Sequence, residues 1–410
     1  MLAVGLSVFA ASIPPAPPAR VSLPGSYKDV AVTVTANRPW PLLTRSSLTE
    51  PETEATLVIE VSLKMHDFSG LQSRLHRGEK IAGPEMAAKY RPGTVDYQAV
   101  TDWLVSQGLT ITQTDPGKLA VFAKGTVRQM AAAFQVNFAR VSFHGTEYTS
   151  AVTAPSLPAP LARAVLGITG LQPHLHPTKL VRPGPAPLST SNSVGAPYWP
   201  RDILKAYGGS GLTQTGAGQT IAIVIDSFPA ASDLTTFWST VGVGQSLANI
   251  ESVPVAGGPS PDSQTADADE ASLDVEWSSG IAPGAKIRVY GVPGLDYTSL
   301  DAAYAQIINE VASGAQPGLH QVSLSFGEGE TLVPASQFQT DEQFFAELSA
   351  AGVTVFASSG DQGSEPGGTI QVEAPASSTS VTGVGGTRLV LDATTGAVTS
   401  ETVLFVTSMR

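Results

Sequence analysis

Beyond residue 198 the chain alternates continuous apolar runs with segments of helical period, and few architectures accept that pattern. Thr220–Ile225, Lys286–Val292, Gln321–Phe326 and Val353–Ala357 are the apolar runs; Ser232–Val241, Ser299–Ser313 and Gln337–Ala351 read as helices between them. A strand that is apolar on both faces must be covered on both faces, and strands joined through helices run parallel. The pattern predicts an α/β fold, a parallel sheet between two layers of helices. In such sheets reacting groups gather beyond the carboxyl ends of the strands.

Upstream the periods are mixed. Ala55–Leu63 alternates like a half-buried strand, and Val95–Gln107 has helical spacing through Val100, Trp103 and Leu104. Leu109–Asp115 and Lys118–Ala123 read as strands around a Pro-Gly turn, Thr126–Phe134 as a helix and Asn137–Phe143 as a strand. The order β-α-β-β-α-β predicts a ferredoxin-like α+β domain, and no catalytic constellation stands out in it. Between the two patterns, Leu180–Pro197 is rich in Pro and Ser and reads as an exposed linker.

Charge changes sign at this linker. Residues 1–189 carry 17 Lys+Arg and 12 Asp+Glu, a balance of +5; residues 190–410 carry 6 and 23, a balance of -17. Opposite charges predict an attraction between the halves that weakens in acid as carboxylates take up protons. The expected boundaries are a terminus over 1–19, a domain over 20–175, a linker over 176–197 and the α/β domain over 198–410.

The net charge of -12 argues against nucleic acid as a partner. No apolar run approaches the ~18 residues needed to span a bilayer. The chain has no cysteine, so it can form neither a disulfide framework nor a thiolate metal site. Met1–Ala11 is apolar and has two readings: the remnant of a secretion signal, which would place the protein outside the cell, or a disordered terminus.

Of six histidines, five lie before the linker; His320 directly precedes a strand, at the sheet's amino end. A Ser-His-Asp triad in the acidic half is therefore disfavoured. Carboxylates are the candidates instead. In the acidic run Asp267–Trp277, a helix would put Glu270 and Asp274 on one face, four residues apart. A pair of like charges holds one carboxyl's pKa up and yields a base that works in acid. The competing reading is a solvated acidic helix start, favoured by the helix dipole. A calcium loop starting at Asp267 would need Gly where Ser272 stands. Asp361 follows the run Val353–Ala357 between Gly360 and Gly363, at the end of a strand where a site belongs; its plain alternative is a turn residue. Ser325, Phe326 and Gly327 end another strand and are candidates to line a cleft.

Together these residues resemble the sedolisin family of serine-carboxyl peptidases, of the pro-kumamolisin type. The resemblance rests on Glu270-x-x-x-Asp274, Gly280-Ile-Ala-Pro-Gly-Ala-Lys286, Ser323-Leu-Ser-Phe-Gly327, Ser359-Gly-Asp361-Gln-Gly363, Ala374-Pro-Ala-Ser377 and Val384-Gly-Gly-Thr-Arg388. The domain over 20–175 is similar to the family's activation propeptide, and Tyr198–Tyr207 to the start of its mature enzyme. The match spans roughly residues 20–403. It implies a subtilisin-like α/β fold, a propeptide docked on the catalytic domain, and cleavage of peptide bonds in acid. By resemblance Glu270 is the general base, Asp274 holds and polarises it, and Asp361, kept protonated, donates a hydrogen bond to the tetrahedral intermediate. Ser325, Phe326 and Gly327 bind substrate. The chemistry suits a chain poor in histidine, since an ordinary imidazole of pKa about 6.5 is protonated in strong acid and cannot act as a base.

The family's nucleophile lies in a Gly-Thr-Ser motif, and no Gly-Thr-Ser occurs here. No nucleophile is assigned; Ser358, Ser359 and Ser364 are near Asp361 only in sequence. The family's calcium site likewise belongs to a part not matched, so no metal-binding residue is named. The pattern breaks at Leu404–Arg410, and the expectation is an interrupted copy, by frameshift or early stop, with an open sheet edge. Two other readings compete: a catalytically dead protein whose first domain docks on peptidases as an inhibitor, and a carboxylate-pair hydrolase acting on sugars. The second is disfavoured, because two carboxylates on one helix face do not flank a sugar from both sides.

Overall fold

The computed structural model describes residues 19–29, 44–143, 145–179, 198–261, 268–361, 363 and 370–403. The apolar start, the Pro/Ser-rich stretch, Asp267, Ser364 and Leu404–Arg410 lie outside them.

In the first domain Thr56–Leu63 alternates as expected. Ile59, Val61 and Leu63 point to one face and Glu60 and Ser62 to the other, all buried. The sheet runs Thr110–Thr114, Ala120–Thr126, Thr56–Leu63, Val165–Thr169, antiparallel throughout. Helices Thr94–Ser106 and Val127–Phe134 cover the Ile59 face through Val100, Leu104, Met130 and Phe134. Thr126 caps the second helix in a reciprocal box with Gln129. This is the ferredoxin-like order, with one correction. Phe138–Phe143 is a strand but not the fourth strand of this sheet. It pairs with Thr146–Ala151 and with Thr44–Ser46. The fourth strand is Val165–Thr169, whose apolar run is buried on both faces, while Phe138–Phe143 is mostly half-exposed.

The second domain carries a six-stranded sheet in the order Ile250–Pro254, Lys286–Gly291, Thr220–Ile225, Leu319–Leu324, Thr354–Ser358, Val381–Val384. Every neighbouring pair is parallel. Helices Ala231–Val241 and Asp269–Ile281 cover Ile223, Ile225, Ile287 and Val289 on one face. Tyr297–Ala312 and Ala335–Ala350 cover Ala222, Val224 and Val322 on the other. Thr220–Ile225 has later strands on both sides, so chain direction switches there, and a crevice opens beyond its carboxyl end.

The two helices Tyr297–Ala312 and Ala335–Ala350 are buried almost all round, because the first domain's sheet lies on their outer side. Met65, Leu71, Tyr90, Leu119 and Phe122 join Tyr304, Phe344 and Phe345 in one continuous core. Polar contacts run along the second helix: Ser26 with Ser336 at 3.1 Å, Thr340 to Ser62 at 2.8 Å, and Gln343 both to the Leu63 carbonyl at 2.9 Å and from the Met65 amide at 2.7 Å. The expected charge-to-charge attraction is not what fills this seam. It holds the ion pair Arg91–Glu347, with Arg91 Nε 2.7 Å from Glu347 Oε1, amid apolar and neutral contacts. At its centre is a carboxyl group from each side, Glu60 and Asp301, each wholly buried. The net charges of the halves do not meet there.

Candidate active site

The helix Asp269–Ile281 packs on the sheet through Ala271 and Val275, one turn apart. Glu270 and Asp274 precede these two by one residue, so they line the edge of the same buried stripe, above the carboxyl ends of the strands. Glu270 is 3 % exposed. Burial, then the charges of Asp274 and Asp361, push its pKa up to about 7. Burial pushes Asp274 up to about 6, against a hydrogen bond from Ser325 that favours its ionised form. In that bond Ser325 Oγ donates to Asp274 Oδ1 at 2.7 Å. Glu270 Oε2 and Asp274 Oδ2 are buried and have no hydrogen-bond partner among the described residues.

Asp361 comes to the same place from the strand Thr354–Ser358. Gly360 turns the chain at φ +94°, and a Cβ there would lie 2.3 Å from Glu373 Oε1. Only glycine accepts both conditions. Asp361 is half-buried, and its charge bears on Glu270 and on Glu373. Burial, then Asp361, raises the Glu373 pKa. Glu328 is pushed up to about 7, mainly by burial, while it accepts a hydrogen bond from Tyr297 at 2.7 Å.

Ser325 lies between the strands Leu319–Leu324 and Phe326–Gly329. Phe326 and Gly327 are buried. Their strand turns away from the main sheet and carries an antiparallel partner on each side: Glu373–Ala374, and Thr178–Lys179 from just past the first domain. Thr178 faces Gly327 and Lys179 faces Phe326. A short extended segment thus lies along the cleft wall, as a bound peptide would.

The structure therefore brings Glu270, Asp274, Asp361 and Ser325 together, with Phe326 and Gly327 beside them. His320 is exposed near the start of its strand, at the amino end, away from this group. Asp226 and Glu373 were missed in the sequence. Asp226 directly follows the apolar run Thr220–Ile225, so the strand-end rule that found Asp361 also points to it. Nothing in the local sequence marks Glu373. No group of three or more His, Asp or Glu with metal-holding geometry occurs among the described residues, and no step is assigned to calcium.

Residues 46–173 match the model of the pro-kumamolisin activation domain, and residues 255–404 that of the subtilase family. The chain is 30% identical over 336 residues to kumamolisin of Bacillus sp. (strain MN-32), covering 77% of this chain and 58% of that protein. It is 25% identical over 406 residues to xanthomonalisin of Xanthomonas sp. (strain T-22), covering 87% and 48%. Sedolisin of Pseudomonas sp. (strain 101) is 26% identical over 372 residues, covering 85% and 62%. The chain thus spans about half to three-fifths of the length of the relatives it matches. Among solved structures it is similar to Pseudomonas sedolisin in complex with two molecules of pseudo-iodotyrostatin, with a TM-score of 0.42 and 26% identity over 50% of this chain and 57% of that one.

Proposed function

With an activation domain of the pro-kumamolisin type ahead of a subtilase-family domain, the chain belongs to the sedolisin family, and on that premise we propose that it is the zymogen of an acid-acting serine-type endopeptidase. One observation carries the reading: Glu270, Asp274 and Asp361 meet beyond the strand ends, beside a strand that already holds an extended segment.

In the proposed reaction a serine hydroxyl attacks the peptide carbonyl carbon and its proton passes to Glu270. The carbonyl oxygen gains the electron pair and accepts a hydrogen bond from protonated Asp361. Glu270 then returns the proton to the leaving amine as the C–N bond breaks. Asp274, fixed by Ser325, orients Glu270 and takes up part of its charge. The serine is not assigned to any residue of this chain, which contains no Gly-Thr-Ser.

The protonation states bear on when this can run. With its pKa near 7, Glu270 in the closed zymogen holds a proton throughout the acid range and cannot accept another. Burial is the first cause, and the Lys179 charge opposes it only weakly. Opening the cleft to water removes the larger effect, so the base becomes available in acid only after the docked segment leaves. The test is self-cleavage of the full chain between Leu180 and Tyr198, followed by mass spectrometry at acid and neutral pH. Cleavage in acid that Glu270→Ala slows about a thousandfold supports the reading. Cleavage indifferent to that substitution removes Glu270 from the role of base.

A further inference from the structure

Lys179 does more than sit on the cleft wall. Its side chain is 14% exposed, and its Nζ lies 2.9 Å from Asp226 Oδ1. That oxygen is buried and has no other partner among the described residues. Asp226 itself follows the central strand Thr220–Ile225 at the switch point of the sheet, so its position is fixed by the most buried element of the domain. We infer that Asp226 is a specificity-determining residue, selecting lysine or arginine at the position of a substrate peptide that faces Phe326. The inference rests on the peptidase reading above, with Thr178–Lys179 standing in for the substrate.

Strand addition holds any extended peptide through its backbone, and selectivity comes from the pockets that receive alternate side chains. The pocket facing Phe326 ends in a carboxylate oxygen. A lysine or arginine pairs with it. A methionine of similar length leaves it buried and unpaired, which is the costly side of the hydrogen-bond balance. A glutamate adds a second negative charge. A site built around a polar partner rejects the analogue that lacks it more strongly than an apolar pocket rejects a methylene. The same cation also favours the ionised form of Glu270, the form that accepts the serine proton. Selection is therefore expected in turnover as well as in binding.

Two readouts on the full chain separate this inference from the peptidase reading. The first is nicking of residues 176–197 near neutral pH by a protease that cuts after large apolar residues. Asp226→Asn and Lys179→Met are each expected to speed nicking about tenfold or more, the double variant no further, and the exchanged pair Asp226→Lys with Lys179→Glu is expected to restore protection. Nicking of Asp226→Asn at the rate of the unaltered chain overturns the inference, whether or not the chain turns over peptides. If Asp226→Asn does not fold, Lys179→Met, at the end of a short strand outside the core, decides the same question by the same measurement. The second readout is hydrolysis in acid of peptides with Lys, Met or Glu at the selected position. A preference for Lys over Met of about tenfold or more, lost in Asp226→Asn, is expected. Hydrolysis with no such preference overturns the inference and leaves the peptidase reading standing. Hydrolysis of none of the peptides counts against the peptidase reading, and the nicking result then decides the pairing.

Discussion

The molecule holds two buried groups of carboxyls, and they are built differently. In the seam between the domains Glu60 and Asp301 are wholly buried and Asp341 nearly so, with Gln337 donating to Asp301 at 2.9 Å and to Asp341 at 3.0 Å. In the cleft Glu270 is buried and Asp361 half-buried, and with Asp274 they share their surroundings with a hydroxyl, Ser325, and a cation, Lys179. Desolvation is the first cause of the raised pKa in both. Only in the cleft is it opposed by groups that can move or leave. Acids shut in with one another make a fixed proton store; acids beside groups that can move or leave keep a proton that can be taken and returned.

The seam gives the largest expected effect. Two ionised carboxylates have no hydrogen to share, so neither Glu60 oxygen has a partner while charged; a proton on either acid supplies the missing donor between Glu60 and Asp301. Burial, and behind it the charges of Asp341 and Asp115, push Glu60 up from 4.5 to about 8, and Asp301 and Asp341 rise as well. A carboxyl whose pKa is raised on docking binds its proton more tightly when docked. Its contribution is fully present below pH about 4.5 and is lost as pH rises through about 8. The shift corresponds to roughly 3–5 kcal/mol. Docking of the first domain should therefore tighten in acid. Hydrogen exchange of the Thr56–Leu63 amides, followed from pH 4 to 9, should show protection falling across that window after correction for intrinsic rates, and Glu60→Gln should flatten the fall. Protection that grows with pH would contradict the proton-store assignment.

That sign is opposite to the one drawn from net charge, and the reason lies in what a sequence records. Totals of +5 and -17 describe whole surfaces. They do not say which residues face each other, and at the centre of the seam the facing residues, Glu60 and Asp301, are acids. Much else was legible. Alternation in Thr56–Leu63 named both its faces, apolar runs named the central strands, and the i, i+4 spacing put Glu270 and Asp274 on one helix edge. Pairing partners were less so: Phe138–Phe143 is a sound strand assigned to the wrong sheet, since strand character is local and pairing is not. Glu373 was invisible for the same reason. It reaches the cleft only because Gly360 leaves room for it.

The seam also holds the ion pair Arg91–Glu347. Burial outweighs Arg91 at Glu347, whose pKa rises to about 7 despite the pairing. Arg91→Ala should then cost about 3 kcal/mol above pH 8, where a buried carboxylate loses its partner. In strong acid, where Glu347 is neutral, the cost should shrink to the lost packing. Melting temperatures of the variant and the unaltered chain at pH 5 and pH 8.5 measure the difference. A loss independent of pH would mean that Glu347 stays ionised throughout.

In the cleft, Gly360→Ala tests how firmly Asp361 is held. The new Cβ meets both the left-handed backbone and Glu373, with strain of about 1–3 kcal/mol. The expected result is a modest fall in stability together with a much larger loss of acid self-cleavage, because the turn that presents Asp361 is displaced. A loss of stability with cleavage intact would detach the turn from the chemistry.

Ser325→Ala makes the smallest change and cuts closest to the contrast between the two groups. Its hydroxyl favours the ionised forms of Asp274 and, more weakly, Glu270. Without it both pKa values should move further up, and Asp274, with both oxygens bare, becomes more like the acids of the seam. The base form of Glu270 is then scarcer at any acid pH, so the acid limb of the self-cleavage profile should move to higher pH. At fixed acid pH the rate should drop by up to about tenfold, the worth of one hydrogen bond. A change of rate with no displacement of the limb would assign Ser325 to positioning alone. A displaced limb shows that this hydroxyl keeps the cleft acids from becoming a second proton store. Ser325→Thr, which keeps the donor, should then return the limb to its original place.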